Sequence, residues 1–267
     1  MPQPFAMEPG RVYFVGAGPG DPGLMTVRGR DIVEQADTIL FAGSLVQRDL
    51  LDWARPDCAV HDSKGMALEA ITELITSEAQ AGRRVARVAT GDPTLYGSLL
   101  EMVIPLEEAG IPYRVVAGVS SAFAAAGAAG ESLTVPESTQ TVIFSRVEGR
   151  TPMPEGEDLV SLARHHATLC LFLSVTLLGR LQDGLREAGW AEDAPVLVVH
   201  KAEWPGEEVV LRTTLAGLRD DVKAAGINSQ SMIIASPALA AREDPERARS
   251  KLYDPTFSHR HRQASQS

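Results

Sequence analysis

The sequence predicts an α/β fold made of two α/β domains, the first around a mostly parallel sheet and the second around a mixed one. Three observations lead there. Apolar, β-branched runs of strand length alternate with amphipathic runs of helix length along most of the 267 residues. ESLTVPESTQ (131–140), rich in Ser, Thr and Pro and without an apolar period, interrupts the alternation midway and reads as a linker. Beyond it, PVLVVHKA (195–202) and EVVLRTT (208–214) are separated only by the turn-like EWPGE, so they can pair as a hairpin and make the second sheet mixed.

RVYFVGA (11–17) is apolar, β-branched and closed by Gly, as a buried strand should be. Residues 24–36 follow as a helix with Val27, Ile32 and Val33 apolar, then TILFAG (38–43) as a strand, 45–54 as a short helix and CAVHD (58–62) as a short strand. In the helix 67–82, Leu68, Ile71, Leu74 and Ile75 share one face and Gly82 supplies the stop. Strand 84–90, helix 96–110 (with Pro105 awkwardly inside), strand 112–118 and the small-residue helix VSSAFAAAGAAG (119–130) complete the first half. The second half reads as strand 141–146, a helix near 156–165, strand 167–174, helix 177–189, the two hairpin strands, helix 215–226 and strand 231–236. The expected domains are 11–118 and 141–240, joined by 119–140, with 241–267 as a disordered tail. No internal repeat is visible.

Composition narrows the function classes. A formal net charge of −10 repels nucleic acid. Cys58 and Cys170 lie far apart and outside any C-x-x-C pair, so reduced thiols in a cytoplasmic protein are expected, without a disulfide or zinc site. MPQPFAMEPG lacks the basic start and apolar run of a signal peptide, and ATLCLFLSVTLLG is too short to span a bilayer.

GPGDPG (18–23) matches the G-x-G-x-x-G string of dinucleotide-binding loops. Its details oppose that reading. Such a loop works through backbone N–H groups facing a pyrophosphate, and Pro19 and Pro22 remove two of them while Asp21 adds a negative charge. The acidic residue expected at the end of the second strand is missing, since that strand ends FAGS. TGDPTLYGS (90–98) repeats Gly-Asp-Pro after another strand. An acid at the carboxyl edge of a parallel sheet suits a hydroxyl, amine or ribose partner. Asp21 alone reads as a cap of the following helix, and Asp92, projecting from the stiff turn between Gly91 and Pro93, as a ligand contact.

VGAGPGDPGLMTVRG, ATGDPTLYGS, VAGVSSAFAAAGAAG and LTVPESTQTVIFSRVEGRTP, in this order and spacing, resemble the tetrapyrrole methylases over about residues 11 to 240. The resemblance implies two α/β domains, a homodimer, and S-adenosylmethionine in the cleft between the domains. It implies cofactor contacts at Pro19, at Thr90, Gly91 and Asp92, at Leu95, at Ser120 and Ser121, at Leu173 (often Met in relatives using uroporphyrinogen) and at Ala202. Two departures, T-G-D-P for G-G-D-P and Y-G-S for F-G-R-G, are similar to the later precorrin enzymes of cobalamin biosynthesis.

A tetrapyrrole substrate carries several carboxylates, so an acidic protein must gather cations locally. Arg146 at a strand end and Arg150 in the loop after it are candidates, with Lys64 in DSKGM; Glu148 can orient Arg146 or act as a base. Each cation is otherwise a solvated surface charge. No residue declares itself as the catalytic base, and no pair among His61, His165, His166, His200, His259 and His261 has metal-ligand spacing. The resemblance implies S-adenosylmethionine-dependent C-methylation of one of the precorrins; the sibling readings are another precorrin, uroporphyrinogen III, or a ribosomal or protein target as substrate, and a reading of a different class is a nicotinamide- or flavin-dependent oxidoreductase.

Overall fold

A computed structural model describes residues 5–242 and 250–263. The chain divides into two compact units. The first takes in the described residues up to Ala124 together with Lys201–Glu208; the second runs from Ala125 to His200 and resumes at Val209.

In the first unit, strands β1 (Val12–Gly16), β2 (Thr38–Phe41), β3 (Ala59–Asp62), β4 (Val85–Ala89) and β5 (Tyr113–Val116) form one sheet in the order β3-β2-β4-β1-β5, every pair parallel. Helices α1 (Val27–Gln35), α2 (Leu68–Gln80) and α3 (Leu99–Glu108) connect them. The central strands β1, β2 and β4 bury both faces, which is why they read as mostly apolar runs, while the edge strands β3 and β5 are partly exposed. Tyr13, Val15, Ile39, Phe41, Ala86 and Val88 pack with Ile32 and Val33 of α1; Val12, Phe14, Leu40 and Val85 pack with α2 and α3 through Ile71, Ile75, Met102 and Leu106.

Two local outcomes differ from the sequence expectation, and a third, the proline inside a helix, is met as expected. The helix expected from residue 24 starts at Val27, because the Thr26 hydroxyl accepts the Gly29 N–H and caps it there; Pro22–Leu24 forms a separate 3-10 turn. Residues 48–53 are a 3-10 helix, too short to nucleate an α-helix and stopped by Pro56. Pro105 stays inside α3, where the carbonyl it leaves without a donor belongs to exposed Glu101 and can be hydrated.

Helix α4 (Ser121–Ala129) precedes the second sheet. Strands β6 (Val142–Arg146), β7 (Thr168–Phe172), β8 (Pro195–His200), β9 (Val209–Thr214) and β10 (Ser231–Ala235) take the order β6-β7-β10-β8-β9. β6 and β7 are parallel; β7–β10, β10–β8 and the β8–β9 hairpin are antiparallel, so the sheet is mixed. Helices α5 (Leu159–Ala163), α6 (Leu178–Glu187) and α7 (Leu218–Ala224) cover one face through Leu181, Leu185, Leu218 and Val222.

The linker is tied down rather than loose. Glu131, whose side chain is 7% exposed, pairs with Arg212 at 2.7 Å and Arg242 at 3.0 Å. The same two arginines donate to the carbonyls of Ala129 and Gly130, closing the end of α4. Of the expected disordered tail, residues 243–249 and 264–267 lie outside the described residues; Lys251–Tyr253 forms a 3-10 turn and His259 bridges Arg262. Among the described residues no helix is long and apolar enough to cross a membrane.

Candidate functional site

In the first unit, the loops leaving β1, β4 and β5 meet backbone to backbone at the carboxyl edge of the sheet. Ala17 N–H donates to the Ala89 carbonyl at 2.7 Å, Gly18 and Gly91 exchange hydrogen bonds of 3.3 and 2.8 Å, and Gly118 N–H reaches Asp92 Oδ2 at 2.9 Å. Only glycine permits this approach. A Cβ on Gly118 would lie 2.1 Å from the Gly91 carbonyl oxygen, and one on Gly16 2.6 Å from the Gly118 Cα. Gly91 differs. At φ +60° it holds the left-handed turn that bends the chain, and a Cβ there would meet nothing nearer than Ser120 Cα at 3.8 Å. A small space therefore borders Gly91, Ser120 and the Ser121 N–H.

Several donors of the GPGDPG loop and of the two residues after it are already engaged. Gly18 N–H goes to Gly91, Gly23 N–H to Asp21 Oδ1 at 2.6 Å, and Leu24 and Met25 N–H to the Asp21 and Pro22 carbonyls. With no N–H at Pro19 and Pro22, the loop is not a pyrophosphate cradle. Asp21 is a cap, but of the 3-10 turn Pro22–Leu24; the helix it was expected to cap is capped by Thr26.

Asp92 does more than project. Its Oδ1 accepts from the Thr94 N–H and hydroxyl while Oδ2 accepts from Gly118. Burial pushes this carboxyl up, but the hydrogen bonds from Thr94 and Gly118 together outweigh it and hold it below its ordinary value. Thr90 and Leu95 are half-buried beside it, and Ser120 is buried at the entry to α4 with Ser121 next to it. Tyr96 (φ 55°) and Ser98 (φ 49°) both hold left-handed backbone in the Y-G-S stretch, a conformation non-glycine residues adopt at a cost of about 1–3 kcal/mol.

Residues 201–208 belong to this unit and bring Ala202 to it. Ala202 is buried between two more left-handed residues, Lys201 (φ 47°) and Glu203 (φ 63°). Trp204, from the same segment, donates its Nε1–H to the Pro19 carbonyl at 3.0 Å. The sequence marks it only as a tryptophan in the turn EWPGE, which gives no hint of its partner. Lys64 is exposed; its backbone N–H and that of Gly43 both donate to Asp62 Oδ1, and these bonds hold the Asp62 carboxyl below its ordinary value, the Lys64 bond contributing most.

The second unit holds the remaining candidates. Arg146 ends β6 and donates to the carbonyls of Thr151 at 3.1 Å and Pro152 at 2.8 Å, folding the 147–152 loop over itself. Glu148 and Arg150 are exposed in that loop, and Arg180 donates to the Glu148 carbonyl at 2.9 Å. Glu148 forms no ion pair with Arg146 among the described residues. Leu173, directly after β7, is 67% exposed and left-handed (φ 54°), an apolar side chain held out of any core by a strained backbone. Arg180, Arg219 and Lys223 also line a hollow of about 600 Å³ between α6 and α7.

The thiols and imidazoles do other work. Both cysteines are free; burial pushes the Cys170 thiol up to about 12 and raises Cys58 as well, so neither offers a thiolate near neutrality. His166 stacks on Trp190 at 5.5 Å, and His200 Nδ1 meets the Ser229 carbonyl at 2.8 Å. No group of three His, Cys, Asp or Glu among the described residues is placed to hold a metal ion.

Two five-stranded α/β units, the first with glycine-built loops at the carboxyl edge of its parallel sheet and left-handed residues around them, define an α/β protein whose first-unit candidate residues gather at that edge. The chain belongs to the family of tetrapyrrole (corrin/porphyrin) methylases, whose model matches residues 11–219. It is 47% identical over 249 residues to a cobalt-precorrin-4 C(11)-methyltransferase of Priestia megaterium, covering 93% of this chain and 96% of that one. It is 44% identical over 230 residues to a precorrin-4 C(11)-methyltransferase of Pseudomonas aeruginosa, covering 86% and 91%. Among solved structures, the X-ray structure of a cobalt precorrin-4 methyltransferase matches with a TM-score of 0.84 at 46% identity, covering 88% of this chain and 97% of that one. A uroporphyrin-III C-methyltransferase from Thermus thermophilus, complexed with S-adenyl homocysteine, matches with a TM-score of 0.69 at 27% identity, covering 86% and 93%.

Proposed function

We propose that this chain is an S-adenosylmethionine-dependent C-methyltransferase that methylates C11 of precorrin-4, in its cobalt-bearing or metal-free form. The observation that carries the reading is near-full-length identity of 47% and 44% to enzymes of that name from two organisms. Those names favour precorrin-4 over uroporphyrinogen III, since the uroporphyrin enzyme is only 27% identical. The oxidoreductase reading has little support in the loop, where Pro19 and Pro22 have no N–H and those of Gly18 and Gly23 are already bonded.

The residues of the first unit suit the cofactor. Space beside Gly91 admits a ligand against bare backbone, and the Asp92 carboxylate, kept charged by its hydrogen bonds, suits a cationic or hydroxyl-bearing partner. When bound, S-adenosylmethionine supplies an electrophilic methyl on sulfonium. What the chain adds is geometry: Pro19, Thr90–Asp92, Leu95, Ser120, Ser121 and Ala202 bind and orient through a stiffened backbone, so that attack distance is reached without an ordering step. Leu173, held out on strained backbone, offers an apolar contact that excludes water.

In the second unit, Arg146, Arg150, Arg180, Arg219 and Lys223 gather cations in a chain of net charge −10, which suits a substrate with several carboxylates; Lys64 and Glu148 are assigned to the same task of substrate contact. Arg146→Ala is expected to lower kcat/KM for the tetrapyrrole by about 2–5 kcal/mol of transition-state stabilisation if the guanidinium meets a desolvated carboxylate. The affinity for S-adenosylhomocysteine should hardly change. Normal turnover would return Arg146 to holding its own loop. The chain works as a homodimer in the cytoplasm, a reading supported by the paired exposed Leu100 and Ile104 on α3 and checked by light scattering.

Incubation of the chain with S-adenosylmethionine and precorrin-4, or its cobalt form, should yield a product heavier by one methyl group, with C11 carrying it by NMR. Methylation of uroporphyrinogen III instead, or no methylation of either precorrin, would overturn the assignment.

A further inference from the structure

Trp204 is fixed from its own side before it meets anything else. Its N–H donates to the Lys201 carbonyl at 2.9 Å, Glu203 N–H is held by the Glu208 carboxylate at 2.7 Å, and the Lys201 ammonium pairs with Glu207 while lying 4.9 Å from the indole centroid. The turn is therefore stiff, and its left-handed residues Lys201 and Glu203 set where the ring goes. The ring goes onto the GPGDPG loop. Nε1–H takes the Pro19 carbonyl, and a Cβ on Gly20 would sit 2.2 Å from Cδ1 and 2.7 Å from Nε1, so the indole rests directly on the Gly20 backbone.

The loop it touches needs such a hold. Between the Gly18 bridge and the Asp21 turn, Pro19 has no N–H to give and Gly20 has no side chain to pack. A glycine left free there would have to be ordered each time a ligand bound, at the expense of affinity. The clamp also joins two stretches assigned to the same ligand, Pro19 and, two residues before the tryptophan, Ala202.

We propose that Trp204 is a positioning residue for the cofactor: by pinning Pro19 and Gly20 to the 201–208 turn it presets the distance between two backbone stretches that hold S-adenosylmethionine. This rests on the cofactor reading above. It assigns to a side chain what the glycines do elsewhere at this edge.

The test uses the full chain and S-adenosylhomocysteine as the probe. Trp204→Phe keeps a ring and removes the donor; it should weaken binding by roughly 2- to 10-fold, the range of one ordinary hydrogen bond. Trp204→Ala should weaken it by more than about tenfold, since the loop then has to be ordered on binding. In both variants hydrogen exchange at residues 17–24 should speed up without ligand, while the tetrapyrrole KM stays near wild type. Gly20→Ala should weaken binding in the wild-type background by displacing the ring, and add little on top of Trp204→Ala, because the collision is gone. Trp204→Ala with slower folding or a lower Tm but an unchanged Kd would overturn the positioning role and leave a structural one. Exchange at 17–24 that stays slow in Trp204→Ala would overturn the clamp itself. Failure of the wild-type chain to bind S-adenosylhomocysteine would instead sink the cofactor reading, and the positioning role with it.

Discussion

Gly20-Asp21-Pro22 and Gly91-Asp92-Pro93 share three residues and a place at the carboxyl edge of one parallel sheet, yet their aspartates have different reach. Asp21 bonds to Gly23, two residues on, and begins a single 3-10 turn. Asp92 makes the same kind of local bond to Thr94 but turns its second oxygen to Gly118, 26 residues away. The difference comes from the residues around them. Gly91 takes a left-handed turn and bridges Gly18, which carries the loop after β4 against the loop after β1 while Asp92 reaches the loop after β5; Gly20 lies beneath Trp204 and leaves Asp21 facing its own chain. One tripeptide thus serves as a cap in one loop and as a tie between loops in the other, and geometry outside the motif decides which.

The contrast can be broken most severely at Gly118. Gly118→Ala would drive a Cβ into the Gly91 carbonyl, backbone against backbone, where neither side can yield alone. A loss of about 3 kcal/mol or more in urea unfolding is expected, with loss of S-adenosylhomocysteine binding. Asp92→Ala should come next, at about 2–3 kcal/mol, because it leaves the Gly118 N–H without its acceptor and frees the turn. Retained stability in Asp92→Ala would mean that the loop after β5 is held in place without the Asp92–Gly118 bond.

The same tie has a pH signature. A carboxyl held below its ordinary value in the folded chain stabilises it above the unfolded value, about 3.9 for aspartate, and loses that contribution as pH falls through the folded value. The stability gap between the wild-type chain and Asp92→Asn should be flat near neutrality and shrink below about pH 4. A gap that widens in acid would reverse the sign assigned to this carboxylate. Smallest of all, Asp21→Ala should cost only about 0.5–1 kcal/mol and change cofactor affinity less than about twofold. An effect as large as that of Asp92→Ala would erase the distinction.

Much of this edge was legible in the sequence. The strands announced themselves through apolar β-branched runs, and the prolines of GPGDPG and its misplaced acid already spoke against a pyrophosphate; the Gly18 and Gly23 N–H groups are moreover engaged elsewhere. The parallel and mixed sheets follow from the alternation and from the EWPGE hairpin. The strand order does not, because β4 inserts between β1 and β2 through contacts that no local pattern encodes. Nor is the fate of Asp92 local; its partner is a backbone N–H after β5, and backbone groups carry no sequence signal. Trp204 was invisible for the same reason: its acceptor is a carbonyl 185 residues upstream. Arg146 was correctly placed at a strand end, but nothing in SRVEGRTP foretells that its guanidinium folds back onto Thr151 and Pro152.

Chain order gives the 201–208 turn one more consequence, in time rather than in space. A ribosome releases residues 1–124 long before it makes Trp204, with all of 125–200 still to come. The parallel sheet can assemble during that interval, since its five strands lie upstream. The loop at Pro19 and Gly20 cannot be closed, because the indole that closes it has not yet been polymerised. The first unit therefore emerges as a scaffold with one loop still open, and closes that loop only when β8 has been translated and the turn after it returns.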